Sequence, residues 1–120
     1  MVTKETDSAR LEEDLRSTCE ALLEMCEAQL VAAREYAAKE NDYRMARAKA
    51  FLAIESGTVD YRKAVVDQVT ERERLAAHIS EGILDSTRER VRSLRAVLSA
   101  LQTIAGVHKV EADFDRTGPR

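Results

Sequence analysis

Apolar residues recur at steps of three and four at Leu11, Leu15, Cys19, Leu22, Cys26, Leu30, Ala33 and Ala37, and again at Phe51 and Ile54. A repeat near 3.5 residues lays one apolar stripe along a helix. Asp7 or Ser8 can cap that helix, with Glu12 and Glu13 close to its positive end. No Gly or Pro interrupts it before Glu55, so the spacing predicts a helix over about residues 8–55. Ser56-Gly57-Thr58 is a turn: Gly57 can take positive φ and end one helix, and Thr58 can cap the next. A second helix is predicted over about 59–105. Its stripe is Val59, Val66, Val69, Ala76, Ala77, Leu84, Val91, Leu94, Leu98 and Leu101. Gly106 is the expected stop, and residues 107–120 read as a polar, frayed tail.

Two long helices joined by so short a turn must run antiparallel. The fold class is therefore all-α, a two-helix hairpin of coiled-coil type over 1–106. With the turn centred on Gly57, facing residues lie at equal distances on either side of it. Residues 1–57 hold 8 Lys and Arg against 12 Asp and Glu; residues 58–120 hold 11 against 10. The register sets Glu20, Glu24 and Glu27 opposite Arg95, Arg92 or Arg90, and Arg88, so ion pairs between the helices are expected to hold it.

The stripe fails in the middle. Continued from Ala37 it lands on Glu40, Arg44 and Arg47 beside Tyr43, and the second helix supplies Thr70 and Glu73 at the same depth. A polar layer of Glu40, Tyr43, Arg44, Arg47 and Glu73 is expected, of the kind that specifies register or oligomer state. Further apolar residues lie off the stripe, among them Met45, Leu52, Val65, Leu75, Ile79 and Ile83. Helices apolar on more than one face expect more than one neighbour. These six positions are the predicted surface for a second copy, completing a four-helix bundle, or for a partner's helix.

Composition narrows the chemistry. The chain of 120 residues is 34% charged and 4% aromatic, without Trp, which suits long helices better than a thick core. No run of about 18 apolar residues is present, so no membrane span is expected. The first residues lack the apolar stretch of a secretory signal, and a cytoplasmic setting follows as an expectation. Cys19 and Cys26, seven residues apart on one helix, are too distant for a mutual disulfide and are expected as reduced core residues. Neither His78 nor His108 follows a Glu by three residues, and no zinc spacing, phosphate-binding glycine loop or nucleophile motif occurs. No metal, cofactor or catalytic residue is predicted, and the expectation is a protein that is not an enzyme. Arg44, Arg47, Lys49, Arg62 and Lys63 form a basic group near the turn, with Tyr43 and Tyr61 available for stacking. Any nucleic-acid contact there should be weak and salt-sensitive.

The run Glu40-Asn41-Asp42-Tyr43-Arg44-Met45-Ala46-Arg47-Ala48-Lys49-Ala50, then Gly57-Thr58-Val59 and a closing Leu98-Ser99-Ala100-Leu101, resembles a group of small helical coiled-coil proteins of tailed phages and prophages. The resemblance covers about residues 10–105 and departs from the group at Tyr61, where a capping-box Glu is common. It implies a shared polar layer at Tyr43, Arg44 and Glu73 and no catalytic residues. By association with phage replication and recombination genes, it implies a role in the host cytoplasm around phage DNA. Three functions are therefore expected: a self-associating accessory or scaffold protein, a recombination or replication factor that touches DNA or inhibits a nuclease, or a virion assembly component. The small secreted hairpins with Trp-x-Gly in the turn are excluded, because Glu55-Ser56-Gly57 stands there.

Overall fold

The computed structural model describes residues 4–117 and is all-α, with α1 at Lys4–Ala53, α2 at Val59–Val69 and α3 at Glu71–Thr117. The chain divides into two compact units, one of Met1–Glu27 with Glu89–Arg120 and one of Ala28–Arg88.

In the unit Ala28–Arg88 the chain reverses at the connection between α1 and α2. The Ile54 N–H donates back to the Phe51 carbonyl at 3.3 Å, which tightens the last turn of α1. Gly57 then takes φ +121°, and a Cβ there would stand 2.5 Å from Cδ1 of Tyr61, so no side chain fits. Thr58 caps α2: its Oγ1 accepts from the Tyr61 N–H at 3.2 Å, and its carbonyl accepts from the Arg62 N–H at 2.9 Å. Arg47 and Asp67, 20 residues apart with Gly57 midway, meet at 2.7 Å. α1 and α2 thus lie side by side in the manner of a hairpin, in the register expected about Gly57.

The core of this unit is made of small and polar residues. Ala32, Val66, Thr70, Ala77, Ser80, Leu84 and Thr87 are buried, Val66 completely. Short side chains are covered only where neighbouring helices come close, so this seam is narrow. Thr70 is the break between α2 and α3. Its Oγ1 and its N–H both donate to the Val66 carbonyl, at 2.6 and 2.9 Å. A threonine bonding back one turn in this way bends a helix. The continuous second helix expected from the sequence is two helices, divided where the Thr70 backbone leaves helical geometry at φ −101° and ψ 13°.

In the other unit the inward residues of α1 are Leu11, Leu15, Thr18, Leu22 and Met25, all half-buried. Those of α3 are Val91, buried, and Leu94, Leu98, Leu101, Ala105 and His108, half-buried. α3 runs through Gly106 to Thr117. A glycine stop needs positive φ, and among the described residues only Gly57 has it. The frayed tail expected after Gly106 is thus helical as far as it is described, and Gly118, Pro119 and Arg120 lie outside the described residues. α1 likewise begins at Lys4, ahead of the expected cap at Ser8, because nothing in Lys4–Asp7 opposes helix.

Three further expectations are corrected. Cys19, Cys26, Leu30, Ala37 and Phe51 are exposed, with Thr18, Met25, Gln29 and Tyr36 turned inward instead. Both cysteines are free and on the surface, so they are not core residues. Two stripes one residue apart run along α1, and counting back from Ile54 through Ala50, Arg47, Tyr43, Glu40 and Tyr36 selects the more polar of them. On the second stretch, Val59 and Val69 are exposed where an inward position was expected. Finally, Arg88 and Arg92 pair with Asp85 and Glu89 on their own helix, at 3.6 and 2.6 Å, and Glu20, Glu24 and Glu27 are exposed. A pair three residues apart on one helix forms without ordering a distant side chain, so it wins over the pair across the seam.

Candidate functional site

The polar layer is centred on Arg47. Its Nη1 donates to Asp67 Oδ1 at 2.7 Å and to Tyr43 Oη at 3.2 Å, and its guanidinium lies 5.4 Å from the Phe51 ring centroid. The Asp67 hydrogen bond, with help from Tyr43, raises the Arg47 pKa above its usual value despite some desolvation. The cation is locked in place. Asp67 belongs to this arrangement and was not singled out from the sequence, and Phe51, expected on the inward stripe, belongs to it as the ring beneath the guanidinium. The mirror relation about Gly57 could have found Asp67, and the four-residue step from Arg47 could have found Phe51.

Glu40, Tyr43, Arg47 and Glu73 are half-buried. Arg44 is exposed and reaches back to Glu40 at 3.2 Å, so it sits at the rim of the layer and not within it. Glu73 Oε2 and Arg62 Nε are buried without a hydrogen-bond partner. The layer does not satisfy its own polar atoms, which costs stability. One turn from Glu40, the Tyr36 phenol has its pKa raised, chiefly by the negative charge of Glu81. Desolvation and the carboxylates of Glu40 and Asp85 add to this, and Arg44 opposes it.

The basic group near the turn is not one free patch. Arg47 is taken by Asp67 and Arg44 by Glu40, and Arg62 is half-buried. Lys49 and Lys63 are exposed. Among the described residues, no three of His, Cys, Asp and Glu group to hold a metal, and no helix is long and apolar enough to cross a membrane.

The apolar surface is extensive. Met45, Leu75, Ile79 and Ile83 are exposed and Leu52 is 86% exposed, whereas Val65 is half-buried. Val97, Ile104, Val107, Val110 and Phe114 of α3 are exposed as well. A groove of about 560 Å³ runs between Val69, Arg72, Leu75, Ala76 and Ile79.

Fold and surface together define an all-α protein with an apolar face left in water. In comparisons with family models, curated proteins and solved structures, nothing matches the chain.

Proposed function

We propose that this chain is a self-associating helical scaffold or accessory protein that works through protein–protein contacts, its helices completing a four-helix bundle with a second copy. The observation that supports this reading is the run of large apolar side chains exposed on α3, from Leu75 and Ile79 to Phe114. Large apolar side chains left exposed along a helix mark an interface. The reading is of a non-enzymatic protein, in which Arg47 is held by Asp67 and Tyr43 and Arg44 by Glu40. The resemblance at Glu40–Ala50 and Gly57–Val59 supports a phage-encoded origin.

Light scattering on a sizing column, at low salt with and without single-stranded DNA, tests the proposal. Twice the 13.4 kDa of one chain, or a higher multiple, unchanged by DNA, is the expected result. A monomer at 100 µM would sink it. A mass that shifts only with DNA, and returns at higher salt, would replace it with the DNA-accessory function.

A further inference from the structure

Resting on the self-association just proposed, we infer that α3 pairs with α3 of a second copy, antiparallel, about a twofold axis passing between Val91 and Arg92. Seen along α3, the exposed side is itself a heptad stripe. Arg72, Ala76, Ile79, Ile83, Ser86 and Arg90 follow at alternating steps of four and three, and Ser93, Val97, Ala100, Ile104, Val107 and Glu111 continue them. Ten of these residues are apolar, small or hydroxyl-bearing or lie at the centre; the charged ends are Arg72 and Glu111. All are exposed except Ala76, which is half-buried. This stripe is separate from the inward one through Ala77, Leu84 and Val91.

The stripe reads as its own complement when reversed. Ile79 meets Ile104 of the second copy, Ile83 meets Ala100, and Ala76 meets Val107. At the ends, Arg72 meets Glu111, opposite charges that have no ion-pair partner within one chain among the described residues. Beside the stripe, Leu75 meets Val110, both exposed. Every facing pair joins a position reached by a step of four to one reached by a step of three, the alternation an antiparallel seam needs. In a parallel pairing each Arg72 would face Arg72 and each Glu111 would face Glu111.

A stable dimer buries about 800 Å² on each partner. Seven large apolar residues of α3, Leu75, Ile79, Ile83, Val97, Ile104, Val107 and Val110, have about half or more of their surface in water and provide much of that area. The groove at Arg72, Leu75, Ala76 and Ile79 receives the segment Val107–Glu111 of the second copy. Arg90 and Ser93 stand at the axis, where a polar pair costs affinity and fixes orientation. Arg90 can carry its charge out along its aliphatic stem.

The test uses the full chain with Cys19→Ser and Cys26→Ser, both exposed and free, so that the core is untouched. Ile79→Cys with Ile104→Cys is held in a glutathione redox buffer and the covalent dimer is measured. A disulfide needs Cα atoms within about 7 Å, and a one-heptad slip displaces them by roughly 10 Å. The expected result is a covalent dimer at least tenfold more abundant than from the slipped control, Ile79→Cys with Val97→Cys. A covalent dimer from Ile79→Cys alone would overturn the antiparallel orientation. If light scattering shows a dimer but the Ile79–Ile104 pair links no better than the control, the face or register is wrong and self-association survives. A monomer at 100 µM overturns both. As a second measurement, Arg72→Glu should weaken dimerisation about tenfold, and adding Glu111→Arg should restore it to within about threefold. No restoration would remove the charge pair from the argument for register.

Discussion

The two units bury different things. In the unit Ala28–Arg88 the buried positions are Ala32, Val66, Thr70, Ala77, Ser80, Leu84 and Thr87. In the other unit the inward stripe is richer in leucine, yet among its described residues only Val91 is buried, at 3% exposure. Leu11, Leu15, Leu22, Leu94, Leu98 and Leu101 are half-buried. Side-chain size therefore does not decide burial here. Alanine and serine are covered because a neighbouring backbone comes close, and leucines stay wet where it stands off. The seam of small residues is held by fit, and the leucine-rich unit leaves Val97, Ile104, Val107, Val110 and Phe114 exposed for another molecule.

The sharpest way to break that comparison is to make the same substitution in both units. Ala77, 4% exposed, has no room for three more carbons. Ala77→Leu should destabilise by about 1–3 kcal/mol, from forced rotamers and parted helices. Ala105 is half-buried on the inward stripe of the other unit, so Ala105→Leu should change stability by less than about 0.5 kcal/mol, the usual size for substitutions away from tight packing. Urea titrations of both variants decide it. Equal losses would mean that the two seams are equally tight.

Much of this was legible in the residues, and the failures share one cause. The turn was readable because Gly57 and Thr58 are local devices, each working through its own backbone. The register was readable because a short turn leaves two helices no freedom to slide, and Arg47 meets Asp67 where the mirror about Gly57 puts them. The rotation of α1 was not. Thr18 and Cys19, Met25 and Cys26, and Gln29 and Leu30 are neighbouring candidates for one inward slot, and the structure takes the first of each pair. Hydrophobicity favours the other member twice, at Cys19 and Leu30. The choice is made by the helix as a whole, held at the turn, and a local count of apolar residues cannot see that constraint. The break at Thr70 was hidden for a similar reason, since Thr87 and Thr103 bond back to the preceding turn in the same way without ending a helix. The polar layer was visible as a failure of the stripe, though Asp67, its shortest partner, was not.

A smaller effect is expected inside that layer. Glu73 Oε2 is buried without a hydrogen-bond partner. Glu73 is half-buried with one carboxylate oxygen covered and unpartnered, and an apolar side chain of similar volume removes that penalty. Glu73→Leu should therefore raise the free energy of unfolding by about 1–2 kcal/mol. This sharpens the contrast: the small-residue unit gives up stability at Glu73, and the leucine-rich unit has no counterpart among its described residues. A loss on Glu73→Leu would show that the carboxylate is solvated or paired in solution, and that the layer contributes stability as well as register.

The smallest expected effect is a pH dependence confined to the unit Ala28–Arg88. The Tyr36 phenol titrates above its ordinary value of 10.0, first because Glu81 repels the phenolate and then because the site is partly desolvated, with Glu40 and Asp85 adding to the repulsion. The folded state thus holds the phenol proton more tightly than the unfolded chain does. Wherever the native state binds more protons, stability falls as pH rises. The contribution of Tyr36 is fully present below about pH 10, the usual tyrosine range, and is lost as pH climbs through the raised value. Tyr36→Phe cannot ionise, so the urea midpoint of that variant should fall less between pH 9 and pH 11 than that of the parent chain. Lysine deprotonation lowers both curves alike, which is why the difference between them is the measurement. Parallel curves would mean that Glu81 and Asp85 are too well screened by water to act on the phenol. A steeper fall in the variant would mean that the phenolate is stabilised in the folded state, with Arg44 outweighing the three carboxylates.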